Sequence, residues 1–137
     1  MSSIIIRSLA IGIVCFSGQA LAGNASLSQP AGGDYQAVSS LVALPDFLPG
    51  LGALYVDPTT LPAGPFAAYN RSGDLVSTVY MIPMEDMQAQ ESFTGLDVAG
   101  TEVQSVDMYY NAGHPGVDKP HYHIVLWHVN AEMADVK

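Results

Sequence analysis

Apolar positions along the chain come in short runs broken by glycine and proline, a pattern of strands and turns rather than of long helices. Residues 41–66, LVALPDFLPGLGALYVDPTTLPAGPF, hold five prolines. Proline lacks the backbone N–H and clashes with the preceding turn, so a long helix is excluded there; LGALYV (51–56) is the best strand of that region. PFAAYNRSGDLVSTVYMI reads as a hairpin, two β-prone runs around a turn in which Gly73 can take positive φ. PMEDMQAQESFTGL is the one credible helix, with Pro83 at its start, Glu85 and Asp86 in its first turn and Gly95 as its stop. TEVQSVDMYYN (101–111) and HYHIVLWHV (121–129) complete about five strands. The fold class expected is mainly β (α+β): a small antiparallel sheet, barrel or sandwich-like, with one short helix.

The N-terminus stands apart. MSSIIIRSLAIGIVCFSGQALA carries Arg7, an apolar core and Ala20-Leu21-Ala22, the form of a secretory signal with a small-x-small cleavage site. Residues 1–22 are therefore expected to be a signal peptide, 23–40 a small, polar, flexible leader, and 41–137 a single mainly-β domain; the protein would be secreted or periplasmic. Cys15, the single cysteine, lies in the signal segment. The mature chain thus has no disulfide and no thiolate ligand, and any metal must be held by imidazole, carboxylate, thioether or backbone. Without Arg7, three cations face thirteen acids. Such a surface repels nucleic acid and anionic lipid, which excludes both as partners. Charged residues make up only 12% of the chain, which leaves room for a homo-oligomer that buries part of the surface.

All four histidines fall in GHPGVDKPHYHIVLWH, residues 113–128. Side chains on a strand alternate faces, so His121, His123, Val125 and Trp127 share one face, while Tyr122, Ile124, Leu126 and His128 share the other. The i, i+2 pair His121 and His123 has Cα atoms about 6.5 Å apart, a spacing from which two imidazoles can meet one ion at about 2.0 Å each. His114, in a loop that must double back to pair the two strands, can supply a third nitrogen. Gly113, Pro115 and Gly116 leave it little backbone freedom. His128 points away by parity, unless a bulge shifts the register, and is read as a core histidine with a backbone partner. The metal ligands expected are His114, His121 and His123, with His128 the weaker candidate. Three histidines with an open position suit a reactive divalent metal, zinc first. Glu85, Asp86, Asp107 and Asp118 are the carboxylates that could complete a site, and two histidines with one carboxylate would suit iron, although an aspartate just before Lys-Pro, as Asp118 is, is more often a solvated turn residue. Met81, Met84 and Met87 raise copper, although Met84 and Met87 fall on one helix face, where methionine is ordinary core filler.

A cupin site also begins with His-x-His on a strand, but it needs a glutamate soon after and a second motif downstream. Trp127 and His128 stand there instead, and only nine residues follow His128, so the likeness to cupins is one of local site chemistry. The run GHPG…KPHYHIVLWH, with LPGLGALYVDP, LPAGPFAAY, GDLVSTVYMIP and DMYYNAGHPG, resembles a group of small secreted bacterial proteins of unknown function. Their hallmark is a Gly-His-x-Pro/Gly loop followed by Pro-His-aromatic-Asp/His, in some with a further histidine. The resemblance spans residues 48–128. It implies His114, His121 and His123 as the site positions and implies no activity. His123 stands where many of those proteins have aspartate, and Val125 where they have another histidine.

The sequence thus favours a secreted or periplasmic protein that binds a divalent metal, or a small molecule, through the histidine cluster. Two alternatives stand beside it: a cupin-like metal-dependent enzyme with water on the open position, and a structural or oligomer-forming envelope protein with packed histidines. No nucleophile elbow, phosphate loop or dinucleotide fingerprint is present, so hydrolytic chemistry would have to run through a metal-bound water.

Overall fold

The computed structural model of the protein describes residues 33–137. The expected signal segment, with Cys15, and the first part of the expected leader lie outside the described residues. Six strands follow in chain order: β1 (Gln36–Ala37), β2 (Ala53–Val56), β3 (Phe66–Tyr69), β4 (Leu75–Pro83), β5 (Ser105–Asn111) and β6 (His121–Trp127). Two short helices, α1 (Val38–Leu41) and α2 (Met84–Gln88), accompany them. The strands form one antiparallel sheet in the order β1-β2-β3-β4-β6-β5. The protein is therefore mainly β, as expected, but the sheet stays open, with β1 and β5 as its edges, and does not close into a barrel.

Local chemistry explains the hairpin between β3 and β4. Asn70 Oδ1 accepts from the amides of Ser72 and Asp74 at 3.0 and 2.9 Å. Gly73 takes φ +85°, the region where a side chain would be strained. Both flanking runs then pair, with a shift of register between Ala68 and Tyr69 beside the turn.

One face of the sheet carries the main core. Val56, Phe66, Val79 and Val125 lie across from one another on β2, β3, β4 and β6, and all are buried. Val38, Leu51, Ala134 and Val136 cover them from outside the central strands. Trp127 packs in the same cluster. Its indole N–H donates to Asp107 Oδ2 at 2.8 Å, which satisfies the polar atom of an otherwise apolar side chain.

Two stretches differ from expectation. Residues 36–40, placed at the end of the polar leader by composition, form β1 and most of α1, and Val38 enters the core. A two-residue strand has too few positions to show a period, so its signal is tertiary: Gln36 and Ala37 pair with Val56 and Tyr55. The helix of residues 83–95 begins at the expected place but spans five residues. Gln90 adopts φ +59°, its amide donates to Met87 O, and the Glu91 amide donates to Asp86 O. That is a Schellman ending, with glutamine in the left-handed position usually held by glycine. The stop is thus Gln90 and not Gly95. Met87 is exposed rather than core filler.

β5 is the open edge, with Val106, Met108, Tyr109 and Tyr110 all exposed. Among the described residues no helix is long and apolar enough to cross a membrane.

Ser77 Oγ, opposite Trp127, is buried without a hydrogen-bond partner. A buried hydroxyl left unpaired costs about 1–3 kcal/mol. Ser77→Ala should accordingly leave stability unchanged or raise it by up to about 1 kcal/mol, whereas Trp127→Ala should cost about 3–5 kcal/mol. Urea unfolding of the two variants against the parent checks both signs.

Candidate metal centre

Strand β6 presents its side chains as its sequence predicts. His121, His123, Val125 and Trp127 are buried on the core face, and the residues between them are half-buried. His121 is fully buried and His123 is 3% exposed. Both neighbouring strands hold β6 in register: Pro83 of β4 and Asn111 of β5 face His121, while Met81 and Tyr109 face His123.

His114 arrives on a tight turn. Its amide donates to Val117 O at 3.0 Å and its carbonyl accepts from the Val117 amide at 2.9 Å. Pro115 and Gly116 occupy the two centre positions, with φ +89° at Gly116, the geometry of a type II turn. A Cβ at Gly116 would lie 2.9 Å from Val42 Cγ1, and one at Gly113 would lie 2.7 Å from the Asp118 carbonyl oxygen. The loop therefore packs too closely for any side chain at those positions. It sets the His114 ring edge-on to the other two, with centroids 4.9 Å from His121 and 5.6 Å from His123. One ring nitrogen from each of the three histidines lies within 4.8 Å of the others.

The far sides of the rings decide which nitrogens are available. His121 Nδ1 lies 2.7 Å from Lys119 O and His114 Nδ1 lies 3.0 Å from Pro115 O. A carbonyl oxygen only accepts, so each Nδ1 is the protonated nitrogen, and Nε2 keeps its lone pair in the neutral ring. The segment that carries the Lys119 carbonyl is anchored on both sides of it: the Met84 amide at the start of α2 donates to Pro120 O, and the Lys119 side chain pairs with Glu85 at the surface. His123 Nδ1 faces a hydroxyl instead, Tyr109 Oη at 3.1 Å, which can donate or accept.

His121 Nε2 and His123 Nε2 are 3.0 Å apart. Without an ion, the two can share a proton in one arrangement: Tyr109 donates to His123 Nδ1, and His123 Nε2–H donates to His121 Nε2. With a cation between them, His123 takes the other tautomer, donates Nδ1–H to Tyr109 Oη, and frees Nε2 as a ligand. Tetrahedral coordination at ordinary zinc–nitrogen lengths separates two ligand nitrogens by about 3.3 Å, close to the spacing found. The proton relay leaves one group out. His114 Nε2 takes no part in it and has no hydrogen-bond partner among the described residues.

The other sequence candidates go elsewhere. Glu85 binds Lys119 and Asp107 binds Trp127, Asp118 is exposed, and no carboxylate joins the histidine group among the described residues. His128 lies on the opposite face, as parity requires. Its Nδ1 donates to Glu102 O and its Nε2 accepts from Thr78 Oγ1 at 2.8 Å, while Thr78 Oγ1 accepts from the Ala99 amide. Gly100 lies against that ring so closely that a Cβ there would come within 2.6 Å of it. His128 thus clasps residues 97–104 to the sheet and is a packed histidine with a backbone partner. Sequence reasoning missed Tyr109. Its only sequence signal was its place on the strand expected to pair with β6, and a one-residue uncertainty in register would have turned it to the other face.

Burial holds the His123 imidazole well below its ordinary value of 6.5, to about 4, with the charges of His121 and His114 lowering it further. Neutral His123 belongs to the folded chain, so an unfolded chain takes up a proton that the folded one refuses as pH falls from 6.5. In metal-free protein the contribution is fully present above pH 6.5 and is lost progressively towards about pH 4. Thermal midpoints across that window should fall more steeply for the parent than for His123→Asn. Equal slopes would contradict the assignment.

No family model matches the chain, and no curated protein is similar to it. A solved structure, that of the hypothetical protein TTHB210 from Thermus thermophilus, is 42% identical to it. The match covers 67% of this chain and 90% of that one, with a TM-score of 0.60.

Proposed function

Because the chain belongs to the same family as that hypothetical protein of Thermus thermophilus, whose name carries no activity, we propose a function from the site itself: the protein binds one divalent metal ion, zinc in the first instance, through His114, His121 and His123. The observation that carries this is the orientation of the three rings. His114 and His121 each spend Nδ1 on an oxygen that can only accept, and ring nitrogens of all three histidines gather within 4.8 Å. Metal-bound histidines in general hold their second nitrogen in this way, which fixes the tautomer and raises ligand basicity. Three neutral nitrogens with no carboxylate suit zinc better than calcium or magnesium, whose ligands are oxygens. Copper is less well supported, because only Met81 of the three methionines lies beside the site, opposite His123. The site would operate in a secreted or periplasmic setting.

Tag-free mature protein, reloaded with zinc and desalted, is expected to carry about one ion per chain by elemental analysis. The double variant His121→Ala/His123→Ala should carry none, and His128→Ala should keep its ion. Metal-free parent protein after reloading would overturn the proposal and leave the histidines as packed residues.

Tyr109 orients His123 without touching the ion. Loss of such an outer partner commonly costs about 10–100-fold in metal affinity. Tyr109→Phe should weaken zinc binding within that range, read by competition with a chromophoric chelator, while the far-ultraviolet dichroism stays unchanged.

A further inference from the structure

A cavity of about 310 Å³ opens beside the histidines. Leu48, Leu51 and Met81 form its apolar wall, and Tyr109, Asn111, His114 and His123 form its polar end. Its volume lies at the small end of the range for ligand pockets. Two of the three metal-ligand candidates are in that wall, so the open side of the site faces the cavity.

The polar end offers donors and no fixed cation. Asn111 Oδ1 is occupied by the Gly113 amide at 2.9 Å, which leaves the side-chain NH2 as donor. Tyr109 changes role with metal loading. In the relay it gives its proton to His123; once His123 donates to Tyr109 Oη, the phenol proton is released for another acceptor. Neither Lys nor Arg lines the cavity. A divalent ion on three neutral imidazoles supplies two positive charges, with Tyr109 and Asn111 as the neighbouring donors. This suits a monoanion with two oxygens rather than a phosphate dianion, which ordinarily calls for Arg, Lys or a cradle of backbone amides.

On the reading of His114, His121 and His123 as metal ligands, we infer that the cavity takes a small monocarboxylate. Its carboxylate would occupy the open side of the metal and accept from Tyr109 and Asn111, and its aliphatic body would lie against Leu48, Leu51 and Met81. Metal loading then comes before ligand binding, because it sets the His123 tautomer that frees the Tyr109 proton.

The test uses the mature protein loaded with cobalt(II), whose visible spectrum reports its ligands, titrated separately with hexanoate, acetate and inorganic phosphate. Hexanoate is expected to change the spectrum saturably, at concentrations at least about tenfold below those of acetate, since its added methylenes are buried against the apolar wall. Phosphate should bind more weakly than hexanoate. Leu48→Trp, which fills the cavity, should abolish the advantage of hexanoate over acetate with cobalt still bound one per chain. Tyr109→Phe, at saturating cobalt, should raise the hexanoate Kd by about tenfold, as loss of one hydrogen bond to a charged group does. Bound cobalt whose spectrum hexanoate leaves unchanged would overturn this inference and leave the metal site standing. So would equal affinities for acetate and hexanoate, or tighter binding of phosphate. Failure to bind cobalt or zinc at all would overturn both.

Discussion

The Lys119 carbonyl oxygen can only accept a hydrogen bond, and the chemistry of the site follows from that. It places the proton of neutral His121 on Nδ1 and leaves Nε2, 3.0 Å from His123 Nε2, as a lone pair facing inward. His123 must then either donate across the gap or turn its own lone pair towards it. The first choice makes a proton relay that ends on Tyr109; the second makes a cation site. Both use the same heavy-atom positions, so passage between them needs only the His123 proton to pass from Nε2 to Nδ1 and the phenol to rotate. Such a site would already be assembled before an ion arrived, and little ordering entropy would remain to oppose binding.

The segment that carries that carbonyl is anchored by a chain of modest interactions. The short helix α2 begins where β4 ends, and its first amide binds Pro120 O. The Lys119–Glu85 pair beside it lies at the surface, where such pairs contribute little to stability. Their value here is positional. The same holds for the His114 turn, whose two glycines pack against Asp118 and Val42 where any Cβ would collide. Burial adds the electrostatic part. An imidazole kept neutral at ordinary pH is one ready to donate a lone pair, and the low value of His123 follows from the apolar surroundings that β4 and β6 create.

Much of this was legible in the sequence, because strand parity is a strict rule. A period of two assigns His121 and His123 to one face and His128 to the other, and the structure keeps that division. The Gly-His-Pro-Gly turn was legible for the same kind of reason: its residue types suit few backbone shapes. What could not be read depends on tertiary contact. β1 exists because β2 offers it an edge, and α2 stops at Gln90 through hydrogen bonds that glutamine does not advertise. Tyr109 and the cavity are cross-strand and cross-loop features, invisible until the register of β5 on β6 and the placement of residues 44–51 are known. Asp118 is exposed, as an aspartate just before Lys-Pro more often is. Nearness along the chain made Asp118 a candidate, yet a turn just before a strand points its residues outward as readily as inward.

The site is also uneven in stiffness, and that unevenness follows from the strand order. His121 and His123 stand on β6, paired on both sides and buried against the core. Tyr109 and Asn111 stand on β5, the outermost strand, whose other edge pairs with nothing among the described residues and whose apolar side chains are exposed. Local opening costs least where few buried contacts oppose it, so β5 is the element of the site with the smallest barrier to movement. The rigid strand therefore carries two of the three metal-ligand candidates, which need fixed geometry, His114 stands on the tightly packed turn before it, and the more yielding strand carries the two donors that line the cavity. A metal ion tolerates displacement of its ligands by only a few tenths of an ångström. Hydrogen bonds to a ligand tolerate more. The order β4-β6-β5 distributes these two requirements across the sheet in the way each can bear.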